Sequence, residues 1–340
     1  MIKKTVALIT LVIIVIGALY IWGFYNNYKG SSILKNTIIF IPTGSNYETV
    51  LYVLDTCNCL KNLDGFNKIA EVKSYPQLVK PGRYFLKKGM SNEGLVNKLR
   101  IGNQDAIKFT FNNLRTINQL AGRAAYYLET DSLSFLNYLY NPETISKYGF
   151  TKNQFPAMFI PNTYAMHWNT TPEKFAERMA KEFKIFWSDE NRAKAKSLGL
   201  SQSEVATLAS IVESETKKND EKPRVAGVYI NRIKKGMPLQ ADPTLIFALG
   251  DFSIKRVTNK DKKINSLYNT YKYKGLPPGP IRLPEISSIN AVLNYEKHAF
   301  IYFCAREDFS GYHNFTSSYR QHKKNATLYH NALNKRKIYR

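Results

Sequence analysis

Hydrophobic and polar positions change their period several times along this chain, and the changes divide it. Residues 5–24, TVALITLVIIVIGALYIWGF, contain no charged side chain. At about 1.5 Å per residue, a helix of that length crosses a hydrocarbon layer about 30 Å thick. Tyr20, Trp22 and Tyr25 fall near its far end, where amphipathic rings favour the membrane interface. A signal peptide would have an apolar core of only about 7 to 15 residues with a small-residue cleavage site close behind. The pattern therefore predicts an uncleaved anchor over residues 5–25, a short cytoplasmic tail over 1–4 and a polar, Gly/Ser-containing linker over 26–36. A four-residue tail is easily retained in the cytoplasm, so the body is expected outside it.

Beyond the linker the periods are those of a small mixed module. Thr37 to Ile41 (TIIFI) reads as a strand, and Asn46 to Leu60 spaces its apolar residues as a helix does. Pro81-Gly82 turns the chain into a second strand, RYFLKKG. Ser91 then caps NEGLVNKLRIG, with Glu93 in the first turn and Gly102 just past the end. The module is expected over residues 37–104 and a larger α+β domain over 105–340. In the latter, Ala106 to Phe111 alternates like a half-buried strand, and Asn113 to Tyr127 and Asp131 to Tyr140 read as helices. Pro156 to Tyr164 (PAMFIPNTY) reads as an irregular loop, and Thr171-Pro172 opens another helix. The C-terminal RQHKKNATLYHNALNKRKIYR predicts a basic amphipathic helix with a solvated face.

The most informative segment runs from Leu208 to Gly250. SQSE at Ser201 to Glu204 is a capping box before an apolar run. Val205, Leu208, Ala209 and Val212 then form a buried stripe, with Glu213 at one margin and Glu215 at the other. At about 100° per residue the two acids lie about 160° apart around the axis, so they cannot face each other across one sugar ring. Either could act alone as an acid, given a pKa raised from about 4.3 towards 6 or above by desolvation. Periodicity does not say which. Downstream, a helix from Asp220 or Glu221 to Gly236 carries Asn231 and Arg232, and Gln240 and Asp242 follow between apolar neighbours. Amides and a guanidinium suit sugar hydroxyls and N-acetyl groups.

Composition narrows the setting. Forty-nine basic against 26 acidic residues leave a net charge of +23, which favours an anionic environment. Nucleic acid is the weakest such partner, because the chain starts with an anchor and shows no nucleic-acid module. The three cysteines, Cys57, Cys59 and Cys304, form no CxxC pair and are expected to be buried free thiols. No metal and no cofactor is expected.

Read together, ASIVESE (Ala209 to Glu215), VAGVYINR (Val225 to Arg232), MPLQADPT (Met237 to Thr244) and YNTYKYKGLPPGPI (Tyr268 to Ile281) resemble, in order and spacing, the endolytic murein transglycosylases of the YceG-like family. YFCAREDFSGYHNF and His322 resemble that family's closing strand and histidine segment, and Pro81 to Gly102 the end of its LysM-like module. The resemblance implies an α+β protein: transmembrane helix, LysM-like module, catalytic domain. It implies cleavage of the bond between N-acetylmuramic acid and N-acetylglucosamine inside peptidoglycan strands, the muramic C6 hydroxyl closing onto C1. By its place in the motif, Glu213 is expected as the acid and then base. Glu215, Asn231, Arg232, Gln240, Asp242, Asn269, Thr270 and Tyr271 are expected to contact the glycan, with Leu276 and Pro277 in a rigid wall. Expected partners are peptidoglycan strands, the plasma (inner) membrane crossed once, and cell-wall synthases and division or elongation proteins. The chain departs from the family where FPAMFIPNTY lacks an acidic pair and carries Asn162 in place of Asp. Two rival readings are a non-catalytic glycan-binding scaffold and a hydrolytic muramidase using Asp242.

Overall fold

The computed structural model describes residues 2–338, the side chain of Ile2 excepted. Met1, at the head of the expected tail, and Tyr339 and Arg340, at the end of the expected basic helix, lie outside the described residues. The architecture is mixed α+β, as the sequence patterns predict, and the chain divides into two compact units. The first takes the chain to Phe109 with Tyr127–Thr130 and Tyr164–Thr170; the second holds Thr110–Tyr126, Asp131–Thr163 and everything from Thr171.

In the first unit, α1 (Ile2–Lys29) contains a stretch long and apolar enough to cross a membrane, none of it buried by protein. The helix does not stop at the expected linker. Tyr28 and Lys29 both reach Glu93, at 2.9 and 2.5 Å, and the Asn92 side chain donates to the Asn27 carbonyl. Ser31 and Ile33 then bridge to Ser91 and Leu60, and Ile33 is buried. The polar composition of residues 26–36 thus serves docking rather than a free tether.

The module that follows is strand, helix, helix, strand, helix. β1 (Thr37–Ile41) pairs antiparallel with β2 (Gly82–Leu86), Thr37 opposite Leu86 and Ile41 opposite Gly82. Between them lie α2 (Tyr47–Thr56), capped by Asn46, and α3 (Leu63–Val72), capped by Asn62. After β2, α4 (Asn92–Ile101) is capped by Ser91 and closed by Gly102 at φ 76°, a conformation cheap only for glycine. Ile39, Ile41, Leu54, Phe66, Tyr84 and Leu95 share its core. Cys57 and Cys59 are disulfide-bonded rather than free, a correction to the expectation from cysteine count. One intervening residue, Asn58, in the left-handed region at φ 47°, folds the chain back tightly enough for the two sulfurs to meet. Cys304 is a free thiol, pushed up to about 11 by burial and the nearby Glu307.

β3 (Ile107–Phe111) pairs with β4 (Asn162–Met166). Residues 156–164 are therefore not an irregular loop throughout: a 3-10 turn, Phe155–Met158, leads into a strand. Its partner lies some fifty positions earlier, and Thr110 and Thr163 hydrogen-bond across the pair at 2.8 Å.

The second unit is mostly helical: α5 (Ile117–Tyr127), α6 (Ser132–Leu139), α7 (Pro142–Lys147), α8 (Pro172–Phe186) and α9 (Asp189–Ser197) precede its central element. That element is α10 (Gln202–Glu215), followed by α11 (Lys222–Lys234), α12 (Asp242–Leu249), α13 (Ile286–Leu293), the hairpin β5 (Tyr302–Ala305) and β6 (His313–Thr316), and α14 (Tyr319–Lys335). The capping box at Ser201 and Glu204 is present. The single buried stripe read from periodicity is not: every residue from Val205 to Glu213 is buried, because α9, α11, α12 and α13 pack around the helix. Thr207 and Ser210 tolerate this by donating to the Ser203 and Thr207 carbonyls of their own helix.

Candidate active site

The site grows from the C-terminal end of α10. The Ser210 hydroxyl accepts the Ile281 N–H at 3.0 Å, which pins the end of the Gly/Pro loop to the helix. The same loop packs closely elsewhere: a Cβ on Gly279 would collide with the Asn153 carbonyl. Arg282 is thereby delivered one turn along α10, beside Glu213. Its Nε lies 3.0 Å from Glu213 Oε1, an ion contact rather than an aligned hydrogen bond, and its Nη2 donates to Asn113 Oδ1 at 2.5 Å. The other Glu213 oxygen accepts the Glu285 N–H at 2.7 Å, at the start of α13. Glu213 is 8% exposed, and each of its oxygens already faces a donor.

Glu215, about 200° further round the helix, points to a different set of neighbours. Its Oε1 accepts from the buried Tyr229 hydroxyl of α11 at 2.6 Å. Its pKa is raised to about 7, by burial first; the Tyr229 hydrogen bond opposes the rise, the negative Asp242 adds to it and Arg232 subtracts. Asp242 opens α12 and accepts from Tyr271 Oη at 2.5 Å. Although the residue as a whole is exposed, protein crowds its carboxyl and raises its pKa, against the Tyr271 hydrogen bond and the opposing pull of Lys262 and His330. Tyr271 is pushed up in turn, by burial and then by Asp242. Glu215, Tyr229, Asp242 and Tyr271 thus form one coupled polar group.

Beside it opens a cavity of about 610 Å³. Among the residues expected at the site, Glu213 and Glu215 line it, and Asp242 adjoins the lining residue Pro243. Several of the others hold the architecture instead. Asn231 donates to the His298 and Phe300 carbonyls. Arg232, buried, donates to the Ile301, Pro238 and Leu239 carbonyls and to the side chain of Gln240, itself exposed and left-handed at φ 53°. Asn269 spans its loop with four hydrogen bonds, from its amide to the Lys262 and Ile264 carbonyls and to its oxygen from the Tyr271 and Lys272 N–H groups. Thr270 accepts the Ala241 N–H and bonds Thr244, which holds the start of α12 in place. Leu276 is half-buried and Pro277 buried, and neither lines the cavity.

Sequence reasoning missed Asn113, Arg115, Lys222, Phe252 and Arg282, all of which line it. Arg282 directly follows the last quoted motif; Arg115 carried no local signal. Among the described residues no group of three or more His, Cys, Asp or Glu could hold a metal ion.

Comparisons with known proteins place the chain in a family. Over 340 aligned residues the chain is 29% identical to an endolytic murein transglycosylase of Bacillus subtilis (strain 168), covering 95% of this chain and 93% of that one. A protein of the same name from Streptococcus pneumoniae (strain ATCC BAA-255 / R6) is 28% identical over 80% of this chain, which spans about half, 54%, of that relative. The crystal structure of a YceG-like protein from Listeria monocytogenes superposes with a TM-score of 0.57 at 27% identity, covering 86% of this chain and 99% of the other. Residues 39–327 match the YceG-like family, and the chain belongs to it.

Proposed function

We propose that this protein is a membrane-anchored lytic transglycosylase. It cleaves the bond from N-acetylmuramic acid to N-acetylglucosamine within peptidoglycan strands and leaves 1,6-anhydromuramic ends. The observation that carries the reading is Glu215: a carboxyl whose pKa stands at about 7, on the rim of a polar cavity, hydrogen-bonded through one oxygen only to a tyrosine. Such a group is protonated often enough to donate and basic enough to take a proton back. The resemblance assigns this role to Glu213; we place it on Glu215 because both Glu213 oxygens are already engaged, by Arg282 and by the Glu285 N–H.

In the proposed reaction Glu215 gives its proton to the glycosidic oxygen as the C1–O4 bond breaks. It then takes the proton of the muramic C6 hydroxyl as O6 bonds to C1. No water is consumed, and the carboxyl ends as it began. One residue serves both steps because the nucleophile belongs to the substrate. Tyr229 holds the carboxyl in place, while burial and then the nearby Asp242 keep its pKa high. The relatives named endolytic murein transglycosylase support the substrate and the internal cleavage. The apolar α1 and the Cys57–Cys59 disulfide support a single crossing of the plasma membrane, the body outside the cytoplasm, where disulfides persist. The LysM-like reading of residues 37–104 belongs to the same proposal.

The test is mass spectrometry of products released from purified peptidoglycan by the full chain in detergent. Anhydromuramic ends are expected. Reducing ends would instead make it a hydrolase with Asp242 activating water, and no products from a folded protein would favour a scaffold. The rate should also fall about tenfold per pH unit well above pH 7, as Glu215 loses the proton it must donate. A profile flat from pH 6 to 9 would remove Glu215 from the acid role.

A further inference from the structure

Among the described residues, three cations on the cavity wall form no ion pair, Arg115, Lys217 and Lys222, of which Lys217 is exposed. Lys222, in the first turn of α11, is 3% exposed, yet its ammonium meets only a neutral group, the Ser287 hydroxyl at 3.1 Å, and no described residue forms an ion pair with it. A buried ammonium is normally paired, because its desolvation is otherwise uncompensated. Arg115 lies over the Phe252 ring, 4.3 Å from its centroid, and forms no ion pair with any described residue. Burial and then the positive Arg282 press its pKa down, so a nearby negative charge would relieve it. Arg282 by contrast already faces the Glu213 carboxylate and donates to Asn113. Unpaired cations on the wall thus outnumber its one unpaired acid besides Glu215, Glu285, and the ring-backed guanidinium is arranged for planar carboxylates.

We propose that Arg115 and Lys222 form a carboxylate-binding subsite that seats the acidic arm of a muramyl unit. The proposal rests on the transglycosylase reading for its substrate. In a strand of alternating sugars only the muramyl unit carries such an arm: a lactyl carboxylate when bare, or stem-peptide carboxylates when substituted. Anchoring that arm sets the register of the strand, and so decides which of the two alternating glycosidic bonds lies against Glu215. Neutral glucosamine units offer these cations nothing.

Binding tests this without turnover. The full chain carrying Glu215→Gln would be titrated, by fluorescence anisotropy, into labelled strands of three kinds: peptide-bearing, amidase-stripped, and stripped strands whose lactyl carboxylates have been converted to carboxamides. The neutral strands are expected to bind at least about tenfold more weakly than the better of the charged ones. Adding Arg115→Gln should reduce the charged strands to the neutral level and leave the neutral strands unchanged. Stripped strands that bind like peptide-bearing ones identify the lactyl carboxylate as the ligand; stripped strands that bind like neutral ones identify the stem peptide. Equal binding of all three kinds overturns the subsite, as does an Arg115→Gln loss of equal size on neutral strands. Lys222→Met should behave as Arg115→Gln does; because Lys222 is buried, Arg115→Gln decides if that variant unfolds. Absence of anhydro products from the wild type would sink the transglycosylase reading, whereas this result would still stand or fall by itself.

Discussion

Glu215→Gln is expected to lower turnover by at least about 10³, because an amide cannot cycle a proton and acid/base assistance contributes about 10² to 10⁴. The fold should survive, since Tyr229 can donate to the amide oxygen as it does to the carboxyl. Stability supplies a second signature. The folded pKa of about 7 stands above the ordinary 4.5, so the folded state holds a proton that the unfolded state has lost over that interval. Stability from this group is full below pH 4.5 and declines as pH rises through 7, by about 2 to 3 kcal/mol for a half-buried carboxyl. Urea unfolding at pH 5 and pH 8 should show the decline in the wild type and not in Glu215→Gln. Glu213→Gln is the paired control, and its loss of turnover should be at least tenfold smaller. The reverse order would return the catalytic role to Glu213.

The second large effect is on stability. Arg282→Met leaves the Glu213 carboxylate buried with only the Glu285 N–H opposite it. Side chains 7% and 12% exposed receive little screening from water. Removing one partner of such a pair costs about 3 to 5 kcal/mol, chiefly because an uncompensated charge remains inside. Arg282→Met should therefore lower the unfolding free energy by about 3 kcal/mol, while Glu213→Leu combined with Arg282→Met should recover most of that. A double-mutant cycle by urea unfolding measures the coupling. Additive losses would mean that the pair is not the link between α10 and the start of α13.

Why the two acids differ is a matter of surroundings, and surroundings are what periodicity cannot supply. The separation of Glu213 and Glu215 by about 160° around the helix was legible, and with it the conclusion that they do not act as a facing pair. What each one faces was not. Glu213 meets Arg282 because Ser210 holds the Ile281 N–H, a contact between residues 71 positions apart. Glu215 gains its high pKa from burial first and then from Asp242, 27 positions on, against the hydrogen bond from Tyr229, 14 positions on. Asn231, Arg232, Asn269 and Thr270 were legible as polar residues in dense motifs. Their hydrogen bonds run to backbone carbonyls and loop amides, so that density builds the frame around the cavity rather than its lining. Arg115 and Lys222 left no local trace, since an arginine over a phenylalanine 137 positions away looks in sequence like any surface cation.

The sequence by itself determined the elements whose causes are local. The apolar run from Thr5 to Phe24 is a helix long and apolar enough to cross a membrane, a property of its length and composition alone. Ser91 with Gly102 and Ser201 with Glu204 bound their helices through caps within four residues of the groups they satisfy. Only the tertiary structure decided what depends on distant neighbours. It turned residues 162–166 into a strand by supplying β3 as partner, and docked residues 26–33 against α4 instead of leaving them loose. It buried α10 on all sides, and it gave one carboxyl an ion-pair partner and the other a raised pKa. Local capping is settled by bonds within a turn of the chain. Desolvation and pairing are settled by whatever the fold brings within a few ångströms, and two residues along one helix are enough to change that.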